Sequence, residues 1–203
     1  VFSRFTHSID SPDSPWVVVN KVRPLEPADY VPQDLAALTG PPGGAGQRMR
    51  AEAAEDFLAM EDALRDEGLS LRVSTAYRSF NFQSGIFNDY RNRWGLARAE
   101  TFAARPGHSE HQTGLAVDVY TTEECRLRAC FAQADAYVWL QDNAAAYGFI
   151  ERYPEGETAV TGFDFEPWHW RWVGADLAQE MRRTGEHTLE EFFRLAPAPD
   201  YAD

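Results

Sequence analysis

At 203 residues, 44% apolar and 25% charged, the chain is long enough for one well-packed domain and has the composition of a folded protein. Its formal charge of -13, from 32 acidic against 19 basic side chains, argues against nucleic acid or an anionic membrane as the main partner. No apolar run reaches the ~20 residues of a membrane span, and the chain opens on Val1 with no signal-peptide pattern, as after removal of a leader or trimming.

In chain order, residues 1–40 carry prolines at 12, 15, 24, 27 and 32, which preclude long helices and predict an extended arm ending in the tract "GPPGGAG" at 40–46. Residues 1–203 read as one domain, with 1–46 as that arm. Met49, Ala53, Phe57, Met60 and Leu64 recur on one helical face that stops at Gly68. "LRVSTAYR" at 71–78 places Leu71, Val73, Thr75 and Tyr77 on one side of a strand. A second helix opens near Ser79 or Asn81, turns Ile86, Phe87, Tyr90 and Trp94 to its apolar side, and gives way to a helical stretch closed by Pro106.

"GLAVDVY" is the next strand, "AQADAYVWLQDNAAAYG" a helix stopped by Gly148, and "FIERY" a short strand. "WHWRWV" at 168–173 alternates aromatic residues with His169 and Arg171, a strong strand signal. "GADLAQEMRR" is helical, and Thr188 with Glu191 forms a capping box before "EFFRLA". The strands are too irregularly spaced for βαβ units. The expected fold is α+β, a small, mainly antiparallel sheet flanked by helices.

The chemistry concentrates in "PGHSEHQTGLAVDVY", Pro106 to Tyr120. An aspartate inside an apolar strand needs a partner or a metal, because a buried charge is costly. Asp118 shares a strand face with Ala116 and Tyr120, opposite Leu115, Val117 and Val119. Alone it would serve as an arginine's partner. His111 lies just upstream, however, and Gly114 lets the backbone bend between the two. An imidazole and a carboxylate are both normal zinc ligands.

"FEPWHWRWVG" offers a third ligand in His169, with Glu166 three residues before it on a turn that Pro167 keeps out of regular pairing. Taken singly, His169 fits a half-buried histidine in an aromatic wall and Glu166 a surface residue. Taken with His111 and Asp118, they fit a metal site with a carboxylate base. Arg78 and Gln83, at the end of a strand and the start of a helix, are candidates for contacting a substrate or a developing oxyanion. With only Cys125 and Cys130 and no CxxC pair, a thiolate zinc site is not expected; one local disulfide and two free thiols fit equally.

"STAYRS" with Gln83, "PGHSEHQTGLAVD" and "EPWHWRWVG" together resemble the zinc D,D-carboxypeptidases of the VanY type, in the lysostaphin/D-Ala-D-Ala peptidase/Sonic-hedgehog fold group. The resemblance extends over most of residues 17–175, and its most specific element is Ser-x-His-x-x-Gly-x-Ala-x-Asp. It implies one zinc ion per chain held by His111, Asp118 and His169, with Glu166 as catalytic base and Arg78 stabilising the oxyanion. Ser109 and Gln83 fall where that family contacts the substrate peptide.

The implied reaction is hydrolysis of the terminal D-Ala-D-Ala bond of a peptidoglycan stem peptide, outside the bacterial cytoplasm, releasing D-alanine. A disulfide between Cys125 and Cys130 would follow from that location. An L,D-carboxypeptidase or a D,D-dipeptidase could use the same residues, whereas a non-catalytic zinc or cell-wall-binding module would need neither Glu166 nor Arg78. The segment "EECRLRACFAQ" at 123–133 matches nothing in the family pattern. His7, His108 and His187 fit no ligand position and read as surface residues.

Overall fold

The computed structural model describes residues 2–202. Its arm has little regular structure: the prolines leave one short strand, β1 (Leu35–Ala37), paired antiparallel with β2 (Arg48–Arg50). Neither strand is legible as an alternating run. Met49, expected on the first helix, is the middle residue of β2 and is fully buried there. "WVVV" does not pair as a strand. Its alternation instead divides it between two cores, Val17 and Val19 entering the main one and Trp16 and Val18 a second beneath the C-terminal helices.

Helix α1 (Ala51–Asp66) lays Ala53, Phe57, Met60 and Leu64 on the main core, and Gly68 follows it at φ 79°. Then come β3 (Arg72–Thr75), α2 (Phe80–Trp94), a single-turn α3 (Leu96–Ala99) and β4 (Ala116–Tyr120). The chain continues through α4 (Asp135–Asn143), β5 (Phe149–Glu151), a short α5 (Thr158–Thr161) and β6 (His169–Trp172). It closes with α6 (Ala175–Thr184) and α7 (Leu189–Phe192). Side-chain caps define two of the helix starts: Ser79 Oγ accepts the Phe82 N–H at 3.2 Å, and Thr188 Oγ1 the Glu191 N–H at 3.1 Å.

The main sheet is antiparallel in the order β3-β4-β6-β5, which makes this an α+β fold with a small antiparallel sheet. The two central strands, β4 and β6, are buried on both faces, hence their nearly continuous apolar and aromatic sequences. Val117, Val119, Trp170 and Trp172 pack into the main core. The opposite face carries Ala116, Asp118, His169 and Arg171.

Three expectations change. A bulge between Val73 and Thr75 breaks the alternation of β3, so that Leu71, Val73 and then Ala76 are buried while Thr75 and Tyr77 are half-buried. Trp94, placed on the apolar side of α2 by its spacing, is 52% exposed because the helix ends there with only Tyr90 and Phe102 beside its ring. His108 is half-buried rather than on the surface: its Nδ1 lies 2.9 Å from the Asn20 carbonyl and its ring packs edge-on against Tyr201.

Candidate active site

Antiparallel pairing of β4 with β6 puts Asp118 directly opposite His169, so register alone brings a carboxylate and an imidazole together. His111 comes from a 3-10 turn, Glu110–Thr113, that ends at Gly114 with φ 72°. A side chain at Gly114 would also meet Arg50 and Leu35 atoms at 3.0 Å, so glycine is required twice over. The result is one buried group, with a ligand atom from each of His111, Asp118 and His169 lying within 4.8 Å of the others.

Asp118 Oδ1 is the hub, 3.2 Å from His111 Nε2 and 3.1 Å from His169 Nδ1. Each ring's other nitrogen meets an acceptor: His111 Nδ1 is 2.7 Å from the Ala76 carbonyl, and His169 Nε2 is 3.2 Å from Glu110 Oε2. Those contacts turn His111 Nε2 inward, where it is buried facing Asp118 Oδ1 but makes no well-aligned hydrogen bond. A nitrogen enclosed in this way beside a carboxylate oxygen and a second imidazole is costly unless something binds it. Two imidazole nitrogens and one carboxylate oxygen, oriented by outer hydrogen bonds, fit a zinc ion with a position left for substrate or water.

Glu166 sits in the turn before β6, its N–H donating to the Tyr153 carbonyl at 3.0 Å and its Oε2 3.9 Å from His169 Nδ1. Arg78 follows β3, and its backbone N–H donates to the His111 carbonyl at 3.1 Å. Its Nε is enclosed without a partner. Gln83 is buried on α2; its Nε2 donates to the Ala104 carbonyl at 2.8 Å, which leaves Oε1 unpartnered. Ser109 is buried at the start of the 3-10 turn. All seven candidate residues line a single cavity of about 200 Å³.

The charges in this pocket are strongly coupled. Burial pushes Glu166 up to about 8; the neighbouring His169 and Arg78 charges draw it down, and Asp118 pushes it further up. Burial disfavours the charged form of His169, but hydrogen bonds and charges from Asp118 and Glu110 outweigh it and raise the group to about 9. Burial and then the Arg78 charge lower His111 to about 4. Asp118 is held well below the usual carboxylate range because the two histidines overcome its burial. Asp118 and His169 thus favour a shared proton or cation, whereas His111 favours its neutral, ligating form.

Sequence reasoning missed several members of this site. Glu110 was visible among the ligand-capable groups of "PGHSEHQ" but received no role. Its available signal was Arg171, a cation two residues beyond His169 on the same strand face and so in need of a buried carboxylate. Tyr153 packs its ring 4.8 Å from that of His169, and Leu127 lines the cavity mouth. Leu127 lies in the unmatched segment, where a Cys125–Cys130 disulfide closes a short loop. Phe131, fully buried, and Arg126, whose Nε donates to Ser74 Oγ at 2.9 Å, anchor that loop on either side.

The family model VanY, D-alanyl-D-alanine carboxypeptidase, matches residues 46–175, well over half of the chain. The chain belongs to the VanY family. It is accordingly an enzyme, a carboxypeptidase of the metallopeptidase type.

A Bacillus subtilis (strain 168) relative, named as the carboxypeptidase YodJ, is 36% identical over 191 residues. That match spans 92% of this chain and 69% of the relative. Among solved structures, the LD-carboxypeptidase LdcB superposes with a TM-score of 0.82 at 35% identity, over 91% of this chain and 88% of LdcB. A mutant of the D,D-pentapeptidase VanY from a VanB-type resistance cassette, in complex with Zn(II), superposes with a TM-score of 0.72 at 31% identity. That superposition covers 87% of this chain and 97% of the other. The mixed helical and antiparallel-sheet architecture is shared with the LdcB and VanY structures.

Proposed function

We propose that the chain is a zinc-dependent D,D-carboxypeptidase acting outside the cytoplasm on peptidoglycan stem peptides, removing the terminal D-alanine. The observation that carries this reading is the buried convergence of His111 Nε2, Asp118 and His169, in which His111 Nε2 makes no aligned hydrogen bond, with Glu166 at its edge. His111 Nε2, Asp118 Oδ1 and His169 Nδ1 would hold one zinc ion per chain. Bound there, zinc supplies Lewis acidity, lowering the pKa of a water and polarising a peptide carbonyl.

The remaining steps belong to side chains. Glu166 removes a proton from the attacking water and returns it to the leaving amine. Burial that raises its pKa suits a carboxyl that must carry a proton between two steps. Arg78 directs its guanidinium at the oxygen where negative charge develops. Gln83 Oε1 is placed to accept an amide N–H of the stem, and Ser109 contacts the same peptide. The apolar rim, including Leu127 and Tyr153, shields the reacting bond from bulk water. No serine nucleophile takes part, so the activity should resist β-lactams and fail in chelators.

One observation favours a second reading. The superposition on the LD-carboxypeptidase LdcB has the higher TM-score, 0.82 against 0.72, which supports hydrolysis of a tetrapeptide stem at an L,D bond. Mass spectrometry of synthetic penta- and tetrapeptide stems and of D-Ala-D-Ala dipeptide distinguishes these activities by product mass. Loss of one alanine from the pentapeptide is expected. Loss only from the tetrapeptide selects the second reading, and no product from any of the three would leave a binding module. Metal analysis of the same preparation should return one zinc per chain.

A further inference from the structure

We infer that Glu110 is a positioning residue for His169: its carboxylate accepts the Nε2 proton and thereby turns the Nδ1 lone pair towards Asp118 and His111. The inference rests on the proposal that His169 is a zinc ligand. Glu110 is fully enclosed, and its two oxygens have separate duties. Oε1 accepts from Arg152 Nε at 2.7 Å and Arg171 Nη1 at 2.8 Å, and Oε2 lies 3.2 Å from His169 Nε2.

The arginines are themselves fixed. Arg152 forms a two-pronged pair with Glu190 at 2.9 and 2.7 Å, and Asn20 Nδ2 donates to the same carboxylate at 2.9 Å. Arg171 is tied by Nη2 to the Pro15 and Val17 carbonyls at 3.0 and 2.8 Å, and by Nε to the Trp172 carbonyl at 2.9 Å. Glu110 therefore cannot rotate without breaking contacts to Arg152, just beyond β5, and to Arg171 and His169 on β6.

A role confined to neutralising arginines would not explain this arrangement. Two carboxylates, Glu110 and Glu190, already balance Arg152 and Arg171, so the His169 contact is surplus to the charge count. Buried ion pairs are also a poor source of stability, since well-packed apolar replacements are often neutral or better. What such a network supplies is a fixed direction for its free oxygen. An imidazole whose outer nitrogen is pinned has one tautomer and one orientation, which is how outer carboxylates set the basicity and aim of histidine ligands.

The test uses the full chain, zinc and cobalt(II) as probes, and Glu110→Gln beside wild type. Zinc affinity is measured by competition with a chromophoric chelator, the cobalt(II) absorption spectrum reports ligand geometry, and circular dichroism checks folding. Glu110→Gln should lose about 10–100-fold in zinc affinity and show an altered cobalt spectrum. Unchanged affinity and spectrum, even with a lowered melting temperature, would confine Glu110 to the arginines and overturn the inference.

Because Glu110→Gln leaves a buried cation in excess, two further measurements stand behind it. Glu110→Gln combined with Arg171→Met removes one charge of each sign and should show the same affinity loss. In the zinc-loaded wild type, long-range ¹H–¹⁵N NMR of labelled histidines should show His169 bound through Nδ1 with its proton on Nε2. Ligation through Nε2 overturns the inference with no variant needed. Wild type that takes up no zinc rejects the metal reading itself, and this inference with it, whereas tight wild-type binding matched by the variant rejects this inference alone.

Discussion

Two clusters of ionisable side chains meet at His169 on one face of the sheet, and they differ in what they leave unmet. In the cluster of Glu110, Arg152, Arg171 and Glu190, the four side chains are fully buried and joined by close hydrogen bonds. In the cleft, His111 Nε2, Arg78 Nε and Gln83 Oε1 are enclosed and make no aligned hydrogen bond. An unsatisfied buried polar atom costs about 1–3 kcal/mol. One cluster spends its bonding capacity on itself and holds the fold in place; the other reserves it for something that arrives later.

If that contrast is right, damage to the two clusters must show in different measurements. The largest effect belongs to Glu166→Ala. It should lower kcat on a pentapeptide stem by about 10²–10⁴-fold, the usual contribution of a proton-transfer group, while zinc content stays at the wild-type level. Retention of most activity would assign proton transfer elsewhere. Arg78→Ala should cost about 10²–10³ in kcat, roughly 2.7–4 kcal/mol, with little change in KM, because a developing oxyanion exists mainly in the transition state. A pure KM effect would make Arg78 a ground-state anchor.

Arg152→Met attacks the other cluster. It leaves Glu110 with Arg171 but strips buried Glu190 of its arginine, and breaking such a pair costs about 3–5 kcal/mol of stability. Urea unfolding should register that loss, whereas Glu166→Ala should barely shift the urea midpoint. Equal losses in both variants would erase the distinction. The smallest effect is expected at the cleft mouth. Cys125→Ser with Cys130→Ser should raise KM a few-fold by loosening Leu127, with kcat nearly unchanged. Opening so short a loop should cost no more than about 2 kcal/mol of stability. An unchanged KM would remove Leu127 from substrate binding.

The cleft was more legible in the sequence than the cluster beneath it, for a physical reason. Asp118 announces itself by interrupting an apolar strand, and His169 by alternating with tryptophans, because strand geometry has a period that a reader can follow. Ligand chemistry alone grouped them into one metal site with a carboxylate base, and the resemblance to zinc peptidases supplied the substrate, which no periodicity encodes. The β4–β6 register then accounts for their meeting. Glu110 leaves no such trace. It projects from a 3-10 turn, and its partners, Arg152 just beyond β5 and His169 and Arg171 on β6, lie far along the sequence, so its role exists only in the folded chain.

The remaining misreadings have the same origin in contacts that no local pattern encodes. The bulge in β3 shifts burial from Thr75 to Ala76, and the paired strands β1 and β2 are too short to show alternation. Leu127 adopts a left-handed backbone at φ 52°, unfavourable for a branched side chain, and is held there by anchors on both sides that its own sequence does not reveal.

The buried charge cluster also bears on where this protein could be cut. Asn20, Pro15 and Val17 come from the arm and Glu190 from α7, all outside the recognisable stretch 46–175. A fragment trimmed to that stretch would keep every candidate catalytic residue, yet strip Arg152 of Glu190 and Arg171 of the Pro15 and Val17 carbonyls, leaving Glu110 as their one carboxylate. Recombinant expression of such a fragment should yield insoluble material despite an intact motif. On that outcome, the stretch that can be recognised would be shorter than the stretch that can stand alone, by the residues that complete the charge balance of the pocket floor.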